Sequence, residues 1–404
     1  NESRDPAQIY TTLGVNSEAP VIVKPNRGGS SDGVSCVYSD KLEEAIAYAF
    51  SYDNDAVLVE QLVSGSEFSV ILVQDVDGNI IPFFPTEITA AHGGDNFIYS
   101  RLKKYMPGAG AHHYTPPRFN QSTIEQIRKQ ARDLFTTLDT EDWARFDGFV
   151  TRDGCIIWSD LNGAPGFGID SFFFQQSSLF GLDQRSVSLL LLERTLNKAG
   201  YSCATQDWTR QPERTIAVLG GGETSERHVS RMSWLNVIQK LSFMPDLDIV
   251  PIFVDRQGDY WHVPYYIALQ HTVEEIGALL ADPQSYLDAY QEAQQEIAGY
   301  SSFIRKLADD DANFRPHRID FDSFVRKVDF VFIALHGGEG ENGTLQAWLE
   351  ARNIAFNGSG SAVSAICMNK YETGKALNRL CIEGFRAAHH IIVDLAIIKD
   401  GLSA

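Results

Sequence analysis

Thr215–Leu219 reads TIAVL, and it runs directly into the glycines Gly220-Gly221-Gly222 and the polar segment ETSERHVS at Glu223–Ser230. A short run of apolar and β-branched residues that ends in glycine predicts a buried strand followed by a tight turn. The residues from about Thr224 to Leu241 then predict a helix. A strand, a glycine turn and a helix in this order are typical of a parallel α/β unit.

The same arrangement recurs further along the chain. Phe330–Leu335 predicts a second buried strand, and Gly343–Ala351 predicts a helix after another glycine-rich turn. Ile249–Val254 supplies a further apolar strand between them. The second half is therefore expected to form a parallel α/β domain.

The first half shows a different pattern, in which strands follow one another through short turns. Ala56–Gln61 and Glu67–Gln74 predict one pair of strands. Arg145–Arg152 and Cys155–Leu161 predict another pair, joined by the hairpin dipeptide Asp153-Gly154. The fold class expected for the whole chain is α/β and α+β multidomain.

Composition and charge exclude several classes of protein. The chain has 404 residues and a formal net charge of −19, from 34 Lys and Arg against 53 Asp and Glu. Such a charge repels nucleic acid and anionic membranes, and no apolar run approaches the ~18–20 residues of a membrane span. Five cysteines without a Cys-x-x-Cys pair fit a reducing compartment. We therefore expect a cytoplasmic protein that acts on small molecules, with no nucleic-acid or membrane partner.

Acidic and amide side chains alternate along the second pair of predicted strands. Arg145 and Asp147 are two residues apart on one strand, and Asp160 and Asn162 are two apart on the next. A period of two places each pair on one face of the sheet. Carboxylate and amide oxygens at this density suit Mg²⁺ bound together with phosphates. A solvated strand face is the alternative interpretation of the same spacing.

A glycine-rich loop follows the first predicted strand. Lys24 ends that strand, and the loop continues as NRGGSSDG over Asn26–Gly33. Backbone N–H groups and the hydroxyls of Ser30 and Ser31 offer donors for phosphate oxygens. The loop lacks the Gly-Lys-Ser/Thr ending of a P-loop, so by itself it equally fits an ordinary turn.

The segment from His92 to Pro117 has no usable periodicity and is rich in Gly, Pro and His. A loop of this length inside a compact domain is uncommon and usually functional, often as a lid. It contains Lys104 and Tyr105, and a lysine on a lid reaches phosphates only when the loop closes. A surface loop without that role is the alternative.

Two strand-to-helix turns of the second half carry ionisable residues. Glu226 lies near the start of the helix after Gly222, where it either contacts an amino acid or simply caps the helix. His336 begins the turn HGGEGENGT, at the carboxyl end of a predicted strand, where open α/β sheets bind ligands. A structural role for this histidine is the alternative.

Taken together, these motifs resemble the D-alanine–D-alanine ligase family of the ATP-grasp superfamily. In the first half the resemblance lies in VIVKPNRGGSSDG, VLVEQLVSGSEF, Lys104-Tyr105, RFD and SDLNGAPG; in the second it lies in Ile216–Ser230, ALHGGEGENGTLQ, FNGSGSAVSA and MNK. It implies an ATP-grasp fold plus a Rossmann-like pre-ATP-grasp domain. The implied cofactors are ATP and two Mg²⁺ ions, or Mn²⁺ in their place.

The resemblance also implies roles for individual residues. It assigns Lys24 and Lys370 to the ATP phosphates together with the Ser31 hydroxyl, Glu60 to the adenine amine, Glu67 to the ribose, and Lys104 to the γ-phosphate. It assigns Asp147, Asp160 and Asn162 to the metal ions. It assigns Glu226 to the ammonium of the first D-alanine, linked through Ser30 and Tyr105 to the lid, and His336 to the carboxylate of that substrate. It assigns Arg145 and the Gly166 N–H to the oxyanion, and Ser171 to the second carboxylate.

The order of the halves departs from the family, because the half that resembles the ligase C-terminus comes first. This order fits a circular permutant, a window across two tandem ligase modules, or a processed piece of such a tandem. The expected divisions are a central subdomain at 1–75, a catalytic subdomain at 76–199, a linker at 200–213, a pre-ATP-grasp domain at 214–360 and the first part of a central subdomain at 361–404. In a permutant the linker 200–213 is long enough for one chain to close its own site. Otherwise a homodimer or a tandem partner half would complete it.

Two further departures concern single features. Asp160 stands where the family usually has Glu, which shortens the reach to a metal ion by one methylene. The segment Thr272–Phe321 exceeds the usual connection. The activity that the resemblance implies is ATP-dependent ligation of two D-alanines for peptidoglycan synthesis, and Tyr105 is typical of relatives that form the dipeptide. The alternatives are a ligase for other amino acids and a non-catalytic module of a tandem protein.

Overall fold

The computed structural model describes residues 6–53, 55–90, 111–168, 171–201, 212–308 and 314–380, together with residues 388, 391 and 393. The chain divides into two compact units. The first contains residues 1–202 and 284–308, and the second contains residues 203–283 and 309–404. The predicted linker at 200–213 lies mostly outside the described residues.

The first unit begins with a small antiparallel sheet. Its elements are α1 (Pro6–Leu13), β1 (Val21–Pro25), β2 (Ser35–Val37), a 3₁₀ turn (Ser39–Lys41), α2 (Leu42–Phe50) and β3 (Val57–Gln61), with the strand order β2-β1-β3. Helix α2 places Leu42, Ala45 and Ala49 on one face, at helical spacing, where they pack with Val21 and Val23. We call this part of the unit the small-sheet subdomain.

A larger antiparallel sheet forms the rest of the unit. Its strands are β4 (Gly65–Gln74), β5 (Ile80–Pro82), β6 (Thr86–Ala90), β7 (Ala111–Tyr114), β8 (Trp143–Thr151) and β9 (Ile156–Asn162), in the order β7-β6-β4-β8-β9 with β5 paired to β4. The helices that accompany it are α3 (Gln121–Thr137), α4 (Phe172–Ser178) and α5 (Gln184–Lys198). Alternate residues of β4, among them Phe68 and Val70, are buried with Ile127, Ala131 and Phe135 of α3. Period two on the strand and period four on the helix thus meet in one core.

The second unit is built on a six-stranded sheet with the order β13-β12-β11-β10-β14-β15. Its strands are β10 (Arg214–Gly221), β11 (Leu247–Val254), β12 (Tyr260–His262), β13 (His317–Arg318), β14 (Phe330–Ile333) and β15 (Ala355–Phe356). Strands β11, β10, β14 and β15 are parallel, and β12 and β13 extend one edge in antiparallel fashion. The predicted parallel α/β arrangement is confirmed in this unit.

The helices after β10 fall in both units. They are α6 (Arg227–Leu241), α7 (Tyr265–Ala268), α8 (Val273–Ala281), α9 (Gln284–Ile297), α10 (Ser302–Leu307), α11 (Phe321–Val325), α12 (Thr344–Glu350), α13 (Ser361–Met368) and α14 (Lys370–Asn378). Helices α9 and α10 belong to the first unit, although the chain on either side of them belongs to the second.

Ion pairs and hydrogen bonds hold these two helices in the first unit. Both Nη atoms of Arg128, on α3, lie 2.7 Å from the carboxylate of Glu296 on α9. The backbone N–H of Ser301 donates to Asp75 at 3.0 Å, and Ser186 donates its hydroxyl proton to the carbonyl oxygen of Leu307 at 3.0 Å. The segment 272–321, for which the sequence suggested no role, therefore supplies part of the first unit's packing.

The predicted fold class, α/β and α+β multidomain, is confirmed by these sheets. One boundary differs in its details. The sequence divided the first half at residue 75, but β4 pairs with β8 over Gly65–Val73, so the change from the small sheet to the large sheet falls between Gln61 and Gly65. Ser64 and Gly65 mark this change, and the division into subdomains stays a prediction.

Candidate active site

The predicted acidic strands are neighbours in the structure. Strands β8 and β9 pair Asp147 with Asp160 and Arg145 with Asn162, and a β-bulge lies between Asp147 and Gly148. The Asn162 side-chain nitrogen lies 3.4 Å from Asp147 and 3.5 Å from Asp160. The two carboxylates and the carboxamide therefore converge as their spacing predicted.

A positive group and a hydroxyl already satisfy part of Asp147. Arg145 donates from Nε to both oxygens of this carboxylate at 3.0 and 3.1 Å, and from Nη2 at 2.9 Å. Ser69, which faces Asp147 across the β4–β8 ladder, donates its hydroxyl proton at 2.7 Å. The carboxylate is thus fixed in position, with a cation beside it.

These residues fit a Mg²⁺ ion in their chemistry. The donor set is oxygen-rich, with two carboxylates and an amide that turns its oxygen inward when it rotates by half a turn. Among the described residues, no group of three or more His, Cys, Asp and Glu side chains is placed to hold a metal ion. Two carboxylates and one amide match the composition of Mg²⁺ sites that use one or two carboxylates plus substrate phosphates.

A second ion pair lies on the small sheet. Lys24 Nζ is 2.8 Å from the Glu60 carboxylate, and the two side chains are 24% and 42% exposed. Strand β1 pairs with β3 so that Ile22 faces Glu60, and Lys24 is the next residue on the same face. Both partners remain open enough to exchange this contact for a ligand.

The glycine-rich loop has an unusual backbone. Ser30 and Ser31 have φ of 57° and 58°, and Gly28 and Gly33 also have positive φ. Two successive non-glycine residues in the left-handed region are strained, and such strain concentrates at functional sites. The Cβ of any residue in place of Gly33 would lie 2.7 Å from Pro25 and 2.8 Å from Tyr52. This loop geometry goes beyond an ordinary turn.

One cavity of about 1160 Å³ in the first unit joins these features. Eight of the predicted site residues line it: Lys24, Ser30, Ser31, Glu60, Glu67, Arg145, Asp160 and Asn162. They come from the small sheet, the glycine-rich loop and the large sheet. These residues span 139 positions of the sequence, from Lys24 to Asn162, and they surround one space in the fold.

Two predicted residues lie on the loop and helix after β9. Gly166 is exposed, and a Cβ added there meets nothing within 4 Å. Ser171 is the N-cap residue of α4, yet its side chain makes no capping hydrogen bond. Its Oγ is buried and has no hydrogen-bond partner among the described residues. A buried hydroxyl in this state costs free energy unless a ligand or water satisfies it.

In the second unit, Glu226 lies close to the turn after β14. Its Oε2 is 2.8 Å from the position of a Cβ on Gly337, whose φ is 70°. Thr224 joins the two turns, because its hydroxyl donates to the carbonyl oxygen of His336 at 2.8 Å and accepts from the Glu226 N–H at 3.2 Å. Only glycine permits this approach at position 337.

His336 has protein partners at both ring nitrogens. Nε2 lies 3.0 Å from the Ser233 hydroxyl, and Nδ1 lies 3.3 Å from the Glu341 carboxylate. A substrate carboxylate would therefore have to replace one of these contacts. The structure leaves both interpretations of this histidine in place, and it adds Glu341 as the group that competes for the ring.

Lys370 is the first residue of α14. The side chain of Asn369 caps this helix by accepting from the N–H groups of Tyr371 and Glu372 at 3.1 Å. Lys370 is exposed and lines an open pocket of about 680 Å³ in the second unit. Lys104 and Tyr105, the predicted lid residues, lie outside the described residues.

Sequence reasoning missed three hydroxyls that organise these groups, namely Ser69, Thr224 and Ser233. Ser69 lies opposite Asp147 in the β4–β8 ladder, so strand pairing is the signal that identifies it. The roles of the predicted residues stay predictions; what the structure adds is their placement. Glu226, His336 and Lys370 belong to the second unit, and the cavity-lining residues belong to the first.

Two sequence models of one family match this chain. The model described as D-ala D-ala ligase C-terminus matches residues 2–192, and the model described as D-ala D-ala ligase N-terminus matches residues 215–359. The chain belongs to the D-alanine–D-alanine ligase family. Its two family domains stand in swapped order, as the motifs predicted.

Curated relatives of this family are similar to less than half of the chain. The D-alanine–D-alanine ligase of Mycobacterium tuberculosis is 35% identical over 180 residues, which cover 44% of this chain and 48% of the relative. The ligase of Bifidobacterium longum (strain NCC 2705) is 32% identical over 186 residues, covering 44% of this chain and 43% of the relative. The chain thus spans about half the length of the curated relatives it matches.

Solved structures of ligases give matches of similar extent. The VanG D-Ala:D-Ser ligase from Enterococcus faecalis is 25% identical, with a TM-score of 0.40 and coverage of 46% of this chain and 53% of that one. The D-alanyl-alanine synthetase A from Vibrio cholerae is 26% identical, with a TM-score of 0.39 and coverage of 48% and 54%.

Across the described ranges, no helix has the length and apolar character required to cross a membrane.

Proposed function

We propose that this chain takes part in ATP- and Mg²⁺-dependent ligation of two D-alanines, which supplies a precursor of peptidoglycan. The observation that carries the proposal is the cavity of the first unit, where Lys24, the strained Ser30–Ser31 backbone and the Asp160–Asn162 strand surround one space. Membership of the ligase family supports the same reaction class. The reaction uses ATP, so the cytoplasm is its place.

In this proposal the first step is phosphoryl transfer. A carboxylate oxygen of the first D-alanine attacks the γ-phosphorus, an O–P bond forms, and the bond to ADP breaks. Lys24, Lys370 and the lid residue Lys104 bind phosphate oxygens, and Ser30 and Ser31 lie on the loop that holds them. Glu60 releases Lys24, now 2.8 Å away, when nucleotide enters. Positioning and charge neutralisation provide most of the rate in such transfers.

Asp147, Asp160 and Asn162 are the residues that would hold Mg²⁺. Bound there, the ion supplies Lewis-acid neutralisation of the phosphate charge. Arg145 and Ser69 fix the Asp147 carboxylate from the other side. Because Asp160 is shorter by one methylene than Glu, we propose that its strand position and the bulge at Asp147/Gly148 compensate for part of the missing reach.

The second step joins the two amino acids. The amine of the second D-alanine attacks the acyl carbon, an N–C bond forms, the C–O bond to phosphate breaks, and a proton leaves the nitrogen. Arg145 and the Gly166 N–H meet the developing oxyanion. Ser171, whose buried Oγ has no partner among the described residues, binds the second carboxylate. Glu226 holds the ammonium and His336 the carboxylate of the first substrate.

Phosphate release tests the proposal. Release should require both ATP and D-alanine, and Glu226→Gln and Ser171→Ala should each lower turnover strongly. Glu43→Gln, an exposed carboxylate on α2, is the matched control and should leave turnover unchanged. Unchanged turnover in both site variants would show that the residue roles are wrong. A panel of D-serine, D-lactate and L-amino acids separates this ligase from one that joins other acids.

A non-catalytic module is the second candidate, and the observations that favour it are the shortened Asp160 and the swapped order. It predicts nucleotide binding without turnover that depends on D-alanine. Calorimetric titration with ADP, measured beside phosphate release on the same sample, separates the two candidates.

A further inference from the structure

A break in strand pairing lies in the middle of β4, next to the candidate site. Strand β4 pairs with β6 over Glu67–Ser69 and with β5 over Leu72–Gln74, so Val70 and Ile71 lie between the two ladders. On this side of the strand, the Ile71 carbonyl oxygen accepts from the Phe83 N–H at 2.9 Å. The Ile71 N–H needs a different acceptor, because Ile71 is buried and an unpaired buried N–H costs free energy.

The side chain of Gln176, on α4, supplies that acceptor. Its Oε1 accepts from the Ile71 N–H at 2.8 Å, and its Nε2 donates to the Ser69 carbonyl oxygen at 2.9 Å and to the Thr86 hydroxyl at 3.0 Å. The Thr86 hydroxyl shares a further hydrogen bond of 2.6 Å with the Thr115 hydroxyl. Gln176 and Thr86 are fully buried. The amide therefore takes the place of a backbone group of a neighbouring strand and binds β4 at two points.

These contacts fix the orientation of the Gln176 amide. If the amide turned by half a turn, its NH₂ group would face the Ile71 N–H and its oxygen would face the Ser69 carbonyl oxygen. In the observed orientation both protons of Nε2 have acceptors and Oε1 has a donor. A buried polar network that is satisfied in this way rigidifies the groups that it joins. Helix α4 and strand β4 are therefore held in one relative position.

Ser69 connects this network to the candidate site. Its carbonyl oxygen accepts from Gln176, and its hydroxyl donates to Asp147 at 2.7 Å across the β4–β8 ladder. A displacement of β4 at this residue would therefore withdraw the hydroxyl from the Asp147 carboxylate. Helix α4 begins after its N-cap residue, Ser171. Gln176 thus joins the helix that follows Ser171 to the strand that holds Asp147.

We propose that Gln176 is a positioning residue for the ligation reaction. Its amide fixes Ser69, and the Ser69 hydroxyl in turn orients the Asp147 carboxylate. The same amide holds α4, so Ser171 keeps a constant position relative to Asp147. This inference rests on the proposed function, which assigns Asp147 to a metal ion and Ser171 to the second carboxylate. A glutamine that only stabilised the sheet would support folding and leave metal affinity unchanged.

Metal affinity, measured without turnover, tests this role. Mn²⁺ is titrated into the full chain with a non-hydrolysable ATP analogue, and free Mn²⁺ is followed by electron paramagnetic resonance. Gln176→Met keeps the length of the side chain and removes the amide, so Mn²⁺ affinity should fall by roughly tenfold, as when the support of a metal ligand is lost. Unchanged Mn²⁺ affinity in Gln176→Met overturns the proposal.

Ser177→Ala is the matched control for this substitution. Ser177 is buried on the same helix, and its hydroxyl donates to the carbonyl oxygens of Phe174 and Leu182, at 3.3 and 3.0 Å. The variant loses buried hydrogen bonds without touching β4, so it should bind Mn²⁺ like the wild type. A loss of Mn²⁺ affinity equal to that of Gln176→Met would mean that any loss of buried hydrogen bonds on α4 has this effect, which contradicts the proposal.

A double-variant cycle with Ser69→Ala separates positioning from stability. If Gln176 acts on Asp147 through the Ser69 hydroxyl, Gln176→Met should not weaken Mn²⁺ binding further once that hydroxyl is absent. It should still lower stability to denaturant in both backgrounds, because the Ile71 N–H loses its acceptor in each. Additive losses of Mn²⁺ affinity would show that Gln176 does not act through Ser69, and they would overturn the proposal.

Thr86 provides a test that leaves Gln176 in place, for the case in which Gln176→Met does not fold. Thr86→Val has nearly the same shape and removes the acceptor of one Gln176 amide proton, so Mn²⁺ affinity should fall, though less than in Gln176→Met. Thr86→Ser returns the hydroxyl and should restore the affinity. Equal Mn²⁺ affinity in the wild type and both Thr86 variants would contradict the proposal.

The outcomes distinguish this inference from the proposed function. Mn²⁺ affinity that depends on Gln176, in a chain that releases no phosphate with D-alanine, supports the positioning of Asp147 and refutes the ligase activity. Phosphate release that depends on D-alanine, with equal Mn²⁺ affinity in the wild type and Gln176→Met, does the reverse. A wild-type chain that binds no Mn²⁺ in the presence of nucleotide contradicts both the role of Gln176 and the assignment of Asp147 to a metal ion.

Discussion

Two of the arginine–carboxylate pairs in the first unit have contrasting surroundings. Arg128 is 8% exposed, contacts Glu296 at 2.7 Å, and also donates to the carbonyl oxygen of Pro82 at 2.9 and 3.0 Å. Arg145 is 29% exposed, contacts Asp147 at 2.9 Å, and lines the large cavity. Both pairs have short distances, but only the second faces a space that a ligand can enter.

This difference distinguishes an ion pair that stabilises the fold from an ion pair that belongs to the candidate site. The guanidinium of Arg128 lies 4.6 Å from the ring centre of Phe84, and protein groups satisfy it on several sides. Asp147, in contrast, shares its oxygens among Arg145, Ser69 and Asn162, all within 3.4 Å. A carboxylate with several exchangeable partners is suited to accept a cation, whereas a closed pair is suited to hold two helices together.

The largest expected effect comes from breaking the pair of Arg128 and Glu296, which we call the closed pair. Glu296→Leu leaves Arg128 buried without its bidentate partner, which should lower the free energy of unfolding by about 3–5 kcal/mol. The double variant Arg128→Met/Glu296→Leu should recover most of this loss, because an apolar pair replaces an ionic one. Chemical denaturation of the four species of the cycle measures both changes.

The control for this cycle is Glu292→Gln, since Glu292 lies 3.6 Å from Arg128 and is more exposed than Glu296. It should change stability by less than about 0.5–1 kcal/mol. If Glu296→Leu were as stable as the wild type, the position of α9 in the first unit would not depend on this contact.

Breaking the pair of Arg145 and Asp147, which we call the open pair, should lower turnover and leave stability nearly unchanged. Arg145→Gln removes the donor assigned to the oxyanion, so turnover should fall by about 10²–10³-fold. Unfolding free energy should change by only about 1 kcal/mol, because the pair is partly exposed. Steady-state phosphate release and a denaturation curve on the same preparation provide the two numbers.

Arg326→Gln serves as the control for this change, because its pair with Asp322 on α11 is exposed and lies in the other unit. It should leave turnover and stability unchanged. If Arg145→Gln instead lowered stability as much as Glu296→Leu while sparing turnover, the distinction between the two pairs would be wrong.

The sequence predicts the site that contains Arg145. It gives no sign of the pair between Arg128 and Glu296. Arg145, Asp147, Asp160 and Asn162 sit on strands whose period of two fixes their common face, so local pattern places them. The partner of Arg128 comes from 168 residues further along the chain. Periodicity carries no information about contacts at that separation, so it does not show where α9 packs.

The same limit explains the hydroxyls that were missed and the boundary at residue 75. Ser69 contacts Asp147 only because β4 pairs with β8 in one register. The apolar run of β4 predicts a strand, but not which sheet it joins. Tertiary packing decides which distant strands pair, and local propensity does not predict that pairing.

A partly buried histidine extends the comparison. Burial, together with the smaller effect of His317, whose ring centre lies 5.0 Å away, lowers the pKa of His262 to about 4. The pKa in the folded protein is below the ordinary value of 6.5, so the unfolded chain binds the extra proton between pH 6.5 and 4. Stability therefore falls as pH falls through that window, by about 2 kcal/mol between pH 7 and 5.

Denaturation of wild type and His262→Phe at pH 7, 6 and 5 measures this contribution. The variant should lose less stability on acidification, and the difference between the two slopes belongs to His262. His228→Phe, an exposed histidine on α6, is the control and should follow the wild type. Identical pH slopes for wild type and His262→Phe would show that His262 takes up its proton without cost in the folded protein.

The smallest expected effect concerns the reach of Asp160, and it sharpens the account of the open pair. Asp147 is held by Arg145 and Ser69, so a Mg²⁺ ion has to be approached by the second carboxylate from β9. Asp160→Glu adds one methylene and should lower the Mg²⁺ concentration for half-maximal turnover by roughly tenfold. Asp153→Glu, an exposed carboxylate in the hairpin after β8, should leave it unchanged. If Asp160→Glu instead raised the Mg²⁺ requirement, the bulge at Asp147/Gly148 would already bring the shorter side chain to the right distance. The departure from the family residue would then be matched by a change in the strand itself.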